Sequence, residues 1–185
     1  MKITPEVDLS CLTIRKLQKE DLPALEWEGR FQHYRNLYLK TYKEYLKGIR
    51  MMLVADYLGR VVGQVFILFG TIECDPTPDR YTAYLYSFRV RPDFRNQGIG
   101  KKLILEAEKQ ILQKKFSRVL IAVARENEGA LRLYERLGYQ RIGSDPGRWS
   151  YVDHLGKVQR VDEPSYILEK LLERRRRRTL FRRQF

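Results

Sequence analysis

The stretch from Tyr81 to Val123 constrains this chain more than any other. Tyr81 to Val90 is rich in aromatic residues, reads as a strand, and is stopped by Pro92. Gly98 to Phe116 reads as a helix, because Ile99, Leu103, Ile104, Ala107 and Ile111 recur at helical spacing as one apolar stripe. Arg118 to Val123 is apolar after its first residue, as expected of a short strand buried on both faces. Strand, helix and strand in that order place the two strands parallel through a right-handed crossover.

The other elements are arranged around this unit. Cys11 to Leu17 alternates as a first strand. A helix is expected from Asp21 to about Gly29, with Asp21 as cap and Pro23 in the first turn. A second covers about Phe31 to Leu46 and ends at Gly48. Its Tyr38, Tyr42 and Tyr45 share one face, as core or as the wall of a substrate cleft. Met51 to Tyr57 and Val61 to Thr71 form a hairpin around Leu58-Gly59-Arg60. Ile72 to Arg80 reads as a loop. Glu128 to Leu137 is helical and closed by Gly138. Tyr139 to Gly143, Trp149 to Asp153 and Ser165 to Leu171 are the remaining strand candidates.

A length of 185 residues with 43% apolar residues is enough for one domain with its own core. The two cysteines, Cys11 and Cys74, are too few and too far apart for a disulfide framework or a zinc site, so no metal is expected. No stretch resembles a signal peptide or approaches a membrane-spanning length, and a cytoplasmic location is expected. Of the net charge of +13, seven units belong to arginines between Arg174 and Arg183. The remaining body is moderately basic, which suits an anionic ligand.

Between the Tyr81 strand and its helix runs Arg95-Asn96-Gln97-Gly98-Ile99-Gly100-Lys101-Lys102. The glycines admit a ligand close to the backbone. The first N–H groups of a helix lack intrahelical partners, and its dipole adds positive potential there. This makes an anion site, best filled by a pyrophosphate, with Arg95 and Lys101 or Lys102 adding charge. It is neither a Walker loop nor the dinucleotide fingerprint. Downstream, Asn127 and Tyr134 fall on one helical face, with Asn127 also at the cap position.

Arg95-x-x-Gly98-x-Gly100 after a strand, followed by Asn127-x-x-Ala130-x-x-x-Tyr134-x-x-x-Gly138-Tyr139, resembles the GNAT acetyltransferase superfamily. The likeness is specific from Val90 to Gly138 and looser in the first 80 residues. It implies an α/β (mixed α+β) fold: a central, mostly antiparallel twisted sheet whose parallel strands four and five splay apart, flanked by about four helices. The domain would span residues 1–172, with a basic tail at 173–185. It further implies acetyl-CoA as co-substrate, without metal. The backbone of Phe88 and Val90 would pair with the pantetheine arm. The amides of Gln97, Gly98, Ile99, Gly100 and Lys101 would hold the pyrophosphate beside Arg95. Asn127 would bond the pantetheine region, and Tyr134 would sit near the sulfur, protonating the departing thiolate as a catalytic acid or merely hydrogen-bonding it. Where related enzymes carry a Glu on the fourth or fifth strand, this chain has none from Tyr81 to Val90 and has Ala122 on the fifth. That departure weakens a transfer of the ribosomal-protein N-acetyltransferase role. Glu73, Tyr84 or Tyr86 would then relay a proton through water.

Two regions supply an amine acceptor pocket by the same resemblance: Trp27, Phe31, His33 and Tyr34, and Asp145, Arg148, Trp149, Tyr151, Asp153 and His154. The expected activity is acetyl transfer to a primary amine of a small molecule, peptide or protein. The rivals are a non-catalytic acyl-CoA sensor or scaffold, and an RNA- or ribosome-associated protein. The latter would use the tail 174–183 on nucleic acid or an anionic surface. The sequence does not fix an oligomeric state, although an exposed last strand could support a homodimer.

Overall fold

A computed structural model describes residues 7–70 and 81–173. The expectations for Ile72 to Arg80, with Cys74 and Glu73, and for the tail after Glu173 lie outside the described residues. A seven-stranded mixed sheet runs in the order β1-β2-β3-β4-β5-β9-β6. Its strands are β1 (Leu12–Lys16), β2 (Arg50–Tyr57), β3 (Arg60–Phe69), β4 (Thr82–Val90), β5 (Arg118–Ala124), β6 (Gln140–Asp145) and β9 (Ser165–Leu171). A separate two-stranded hairpin joins β7 (Arg148–Val152) to β8 (Val158–Asp162). The α-helices are α1 (Arg35–Leu46), α2 (Ile99–Gln113) and α3 (Glu128–Arg136). Among the described residues only β4 and β5 pair in parallel, and every other pairing is antiparallel.

Strand alternation divides the core into two layers. On β2, Met51, Leu53 and Ala55 join the layer beneath α2 and α3, whereas Met52 and Val54 join the layer beneath α1. The whole α2 stripe, Ile99, Leu103, Ile104, Ala107 and Ile111, is buried in the first layer. Full burial of each large aliphatic side chain is worth about 1.5–3 kcal/mol, which anchors α2 and therefore the turn before it. Tyr38 is buried and Tyr42 and Tyr45 pack beside it, so that stripe is core.

Several elements differ from the sequence expectations. Lys19–Glu26 is a 3-10 helix capped by Gln18 rather than an α-helix capped by Asp21. Asp21 instead accepts a hydrogen bond from the Gln18 N–H at 2.7 Å and pairs with Arg15, also at 2.7 Å. The second helix begins at Arg35, after a 3-10 turn over Gln32–Tyr34. Strand β8 was not expected. The last strand, β9, is no edge: it lies between β5 and β6, so an edge-to-edge dimer would have to use β1 or β6. Among the described residues the three α-helices and the 3-10 helix Lys19–Glu26 together meet the expectation of about four helices.

Candidate functional site

The sheet opens at one place. Gln64 faces Arg89 and Phe66 faces Tyr86 across β3 and β4, so Ser87 and Phe88 together oppose the single Val65. This is a β-bulge, with Ser87 at φ 51°. Gln64, fully buried on β3, donates from Nε2 to Ser87 Oγ at 3.1 Å and so braces the bulge. Parallel pairing with β5 runs only from Thr82↔Arg118 to Leu85↔Ile121. Beyond it Ala122–Ala124 pair with β9 alone, and β4 bends away. The Arg91 N–H bonds to the Val62 carbonyl at 2.8 Å, so by alternation the Val90 N–H and carbonyl face away from β3, along the opened edge.

That edge leads into the start of α2. Gly98 is the N-cap residue at φ 84°, a left-handed conformation that glycine adopts without strain. The first helical bond runs from the Lys102 N–H to the Gly98 carbonyl at 3.1 Å. The amides of Gln97, Gly98, Ile99, Gly100 and Lys101 donate to no partner among the described residues. They form a row of donors at the positive end of a 15-residue helix buried along one face.

The expected site residues lie on β4, on the turn into α2 and on α3. Phe88 and Val90 line the edge. Arg95 folds back so that its Nε donates to the Val90 carbonyl at 2.9 Å, leaving the Val90 N–H as the open group of that residue. The Gln97 side chain accepts from the Val7 N–H at 2.7 Å, tying the N-terminal segment to the turn, so only its backbone is free. Gly100 has a packing reason of its own: an added Cβ would stand 3.0 Å from Phe88 Cζ and 3.4 Å from a Leu133 methyl. Asn127 caps α3, its Oδ1 accepting from the Ala130 N–H at 3.1 Å. Tyr134 is buried against Phe88 and Tyr139, with ring centroids 5.9 and 5.8 Å away. Burial, with a smaller contribution from nearby Tyr84, raises its pKa well above the ordinary phenol value, so it carries its proton at neutral pH. Tyr86, by contrast, is held by Arg50, whose Nη1 donates to its hydroxyl at 2.8 Å. Burial raises its pKa too, which disfavours it as a base.

On the other face of the sheet, side chains from both expected acceptor regions meet. Tyr34 lies 4.9 Å from Tyr151 and stacks with Trp149 at 6.4 Å. His33 is 4.2 Å from Tyr34. Burial first, then the charge of Arg89, lowers the His33 pKa, which keeps it neutral. Trp27 is buried behind Phe31, and Asp153 is spent on the β7–β8 turn, accepting from Leu155 N, Lys157 N and Gln159 Nε2. Asn36 Nδ2 donates to the Asp153 carbonyl at 2.6 Å and ties α1 to the hairpin. Sequence reasoning missed Arg89, which reaches from β4 into this cluster; a lone arginine in an aromatic strand was the available signal.

A sheet opened between parallel strands, with bare helix amides at its mouth, is the geometry of a protein that receives an extended ligand ending in an anion. The chain belongs to the acetyltransferase (GNAT) family, whose model matches residues 13–139. Its fold is similar to that of an N-acetyltransferase from Staphylococcus aureus Mu50, at 16% identity, covering 88% of this chain and 99% of that one with a TM-score of 0.67. It is similar also to PaiA N-acetyltransferase from Thermoplasma acidophilum in complex with coenzyme A, at 21% identity over 86% and 98% of the two chains and a TM-score of 0.63. It is similar as well to the ribosomal-protein-S18-alanine N-acetyltransferase from Escherichia coli, at 19% identity over 92% of this chain and 99% of that one, with a TM-score of 0.62. Among the described residues no helix is long and apolar enough to cross a membrane.

Proposed function

We propose that this protein transfers an acetyl group from acetyl-CoA to a primary amine by direct attack. The observation that carries the reading is the row of undonated amides from Gln97 to Lys101 at the end of the opened β4 edge. The residues present fit the carrier. The helix-start amides and Arg95 suit a pyrophosphate, and the Val90 N–H and the Phe88 backbone suit a polar arm lying along β4 as an added strand. Acetyl-CoA, when bound, supplies an activated thioester. The Val90 N–H polarises a carbonyl laid against it. Asn127 has Nδ2 left for the arm after its Oδ1 has capped α3. Tyr134 holds a proton in a buried position beside Phe88 and supplies it to the leaving sulfur. With no acid on β4 and Ala122 on β5, the amine loses its proton to water, with Tyr84, whose charge is felt at Tyr134, as relay.

Calorimetric titration with acetyl-CoA, followed by thiol release with a panel of primary amines, tests this. Binding and amine-dependent thiol release are expected. Absence of binding to well-folded protein refutes the carrier site. Binding without thiol release from any amine leaves the acyl-CoA sensor as the surviving reading.

A further inference from the structure

Arg89 is a half-buried cation at the centre of the acceptor-side cluster. Its guanidinium carbon lies 4.2 Å from the Phe31 ring centroid and 5.1 Å from that of Tyr34. Its Nη1 donates to the Tyr38 hydroxyl at 2.7 Å. No carboxylate pairs with it among the described residues. The acids nearby are engaged elsewhere: Glu26 with Arg35, Glu28 with Arg91, and Asp153 with its own turn. Aromatic stacking uses the faces of a guanidinium and leaves its in-plane donors directed outward, the geometry that meets a carboxylate in two parallel hydrogen bonds.

The backbone that delivers Phe31 to Arg89 is strained. Trp27 and Glu28 take φ 46° and 53°, both unfavourable for residues with side chains, and Gly29 follows at φ 91°. The turn is held by Arg91, which pairs with Glu28 at 2.7 Å and stacks over Trp27 at 5.4 Å. Such strain collects where a ligand site must be preformed. Arg89 also immediately precedes Val90, so its side chain and the open Val90 N–H belong to one stretch of β4 but to different sides of it.

Building on the acetyl-transfer reading, we infer that Arg89 is a specificity-determining residue that binds a carboxylate carried by the acceptor. The acceptor is thus an amine with an acid group close by: a free amino acid or similar small zwitterion, or a peptide N-terminus followed by an acidic side chain. Tyr38 and the Phe31–Tyr34 pair fix the fork, and Trp149 and Tyr151 wall the remaining side.

Matched acceptors test this. Thiol release is measured for amino acids against their carboxamides, and for peptides with Glu against Gln in second position. The wild type is expected to prefer the acid in one of the two series by about 10- to 100-fold in kcat/KM. In Arg89→Gln the acid-to-amide ratio falls to about one, while acetyl-CoA affinity is kept; Tyr38→Phe, which frees the fork without removing it, gives an intermediate ratio. The series that shows the preference identifies the source of the carboxylate. Equal rates for acid and amide in both series, or a preference that survives in Arg89→Gln, overturn the inference. If no amine is acetylated although acetyl-CoA binds, the transfer reading falls, and Arg89 is judged by calorimetry of N-acetylated acids and amides on CoA-loaded protein. Acid binding lost in Arg89→Gln then supports the inference, and equal or absent binding of the acids overturns it.

Discussion

Replacing Tyr134 with Phe separates packing from proton donation. The phenyl ring fills the same space against Phe88 and Tyr139, so at neutral pH stability should change by less than about 1 kcal/mol. Two larger effects follow from the hydroxyl. The native phenol has its pKa raised above the ordinary 10.0 by burial. Above about pH 10 the unfolded chain therefore releases this proton while the native state keeps it. The stability from this group is fully present below pH 10 and is lost as pH rises, by about 1.4 kcal/mol per unit. Tyr134→Phe removes that loss, so between about pH 8 and pH 11 the variant should gain roughly 1.4 kcal/mol on the wild type in urea unfolding. If the proton goes to the leaving sulfur, kcat for thiol release should also fall by about 100-fold or more, with acetyl-CoA affinity unchanged. A kcat within about threefold of wild type would refute the acid role. An unchanged difference in stability between the two pH values would refute the buried neutral phenol itself.

Two further substitutions address the scaffold. Gly147 stands at φ 69°, and a Cβ there would lie 1.9 Å from the Glu163 carbonyl oxygen. Gly147→Ala should displace the β7–β8 hairpin and raise the acceptor KM while leaving acetyl-CoA affinity intact, as steady-state kinetics would show, at a stability cost of about 2 kcal/mol or more. Glu108, nearly buried on α2, accepts from Lys170 Nζ at 2.8 Å through both carboxylate oxygens. Glu108→Gln leaves that ammonium without its counter-charge and should cost about 1–3 kcal/mol in denaturant unfolding.

The sequence displayed the parallel unit clearly because α2 is apolar on one face only and β5 is apolar after Arg118; all five stripe residues are buried. It also displayed the β2–β3 hairpin, through the turn Leu58-Gly59-Arg60. Strand β8 was illegible because Val158–Asp162 is exposed or half-buried throughout and shows no buried apolar face. The 3-10 character of Lys19–Glu26 was hidden because Asp21-Leu22-Pro23 begins either kind of helix equally well. The bulge was invisible: nothing in Ser87 announces a positive φ, so the opening of the sheet was implied by family resemblance alone. Arg89 escaped for another reason. Its partners Phe31, Tyr34 and Tyr38 lie about fifty residues earlier in the chain, and no local pattern reports that meeting.

Because only four residue pairs close the seam between β4 and β5, the two halves of the sheet share an incomplete ladder. A carrier lying along β4 would act as the absent rung and would stabilise the native state against unfolding. At a ligand concentration about a hundred times Kd this linkage amounts to about 2.7 kcal/mol, a sizeable part of the total stability of an ordinary domain. The lifetime of the protein in a cell would then follow the supply of its own thioester, and starvation for acetyl groups would thin the enzyme population as well as slow it.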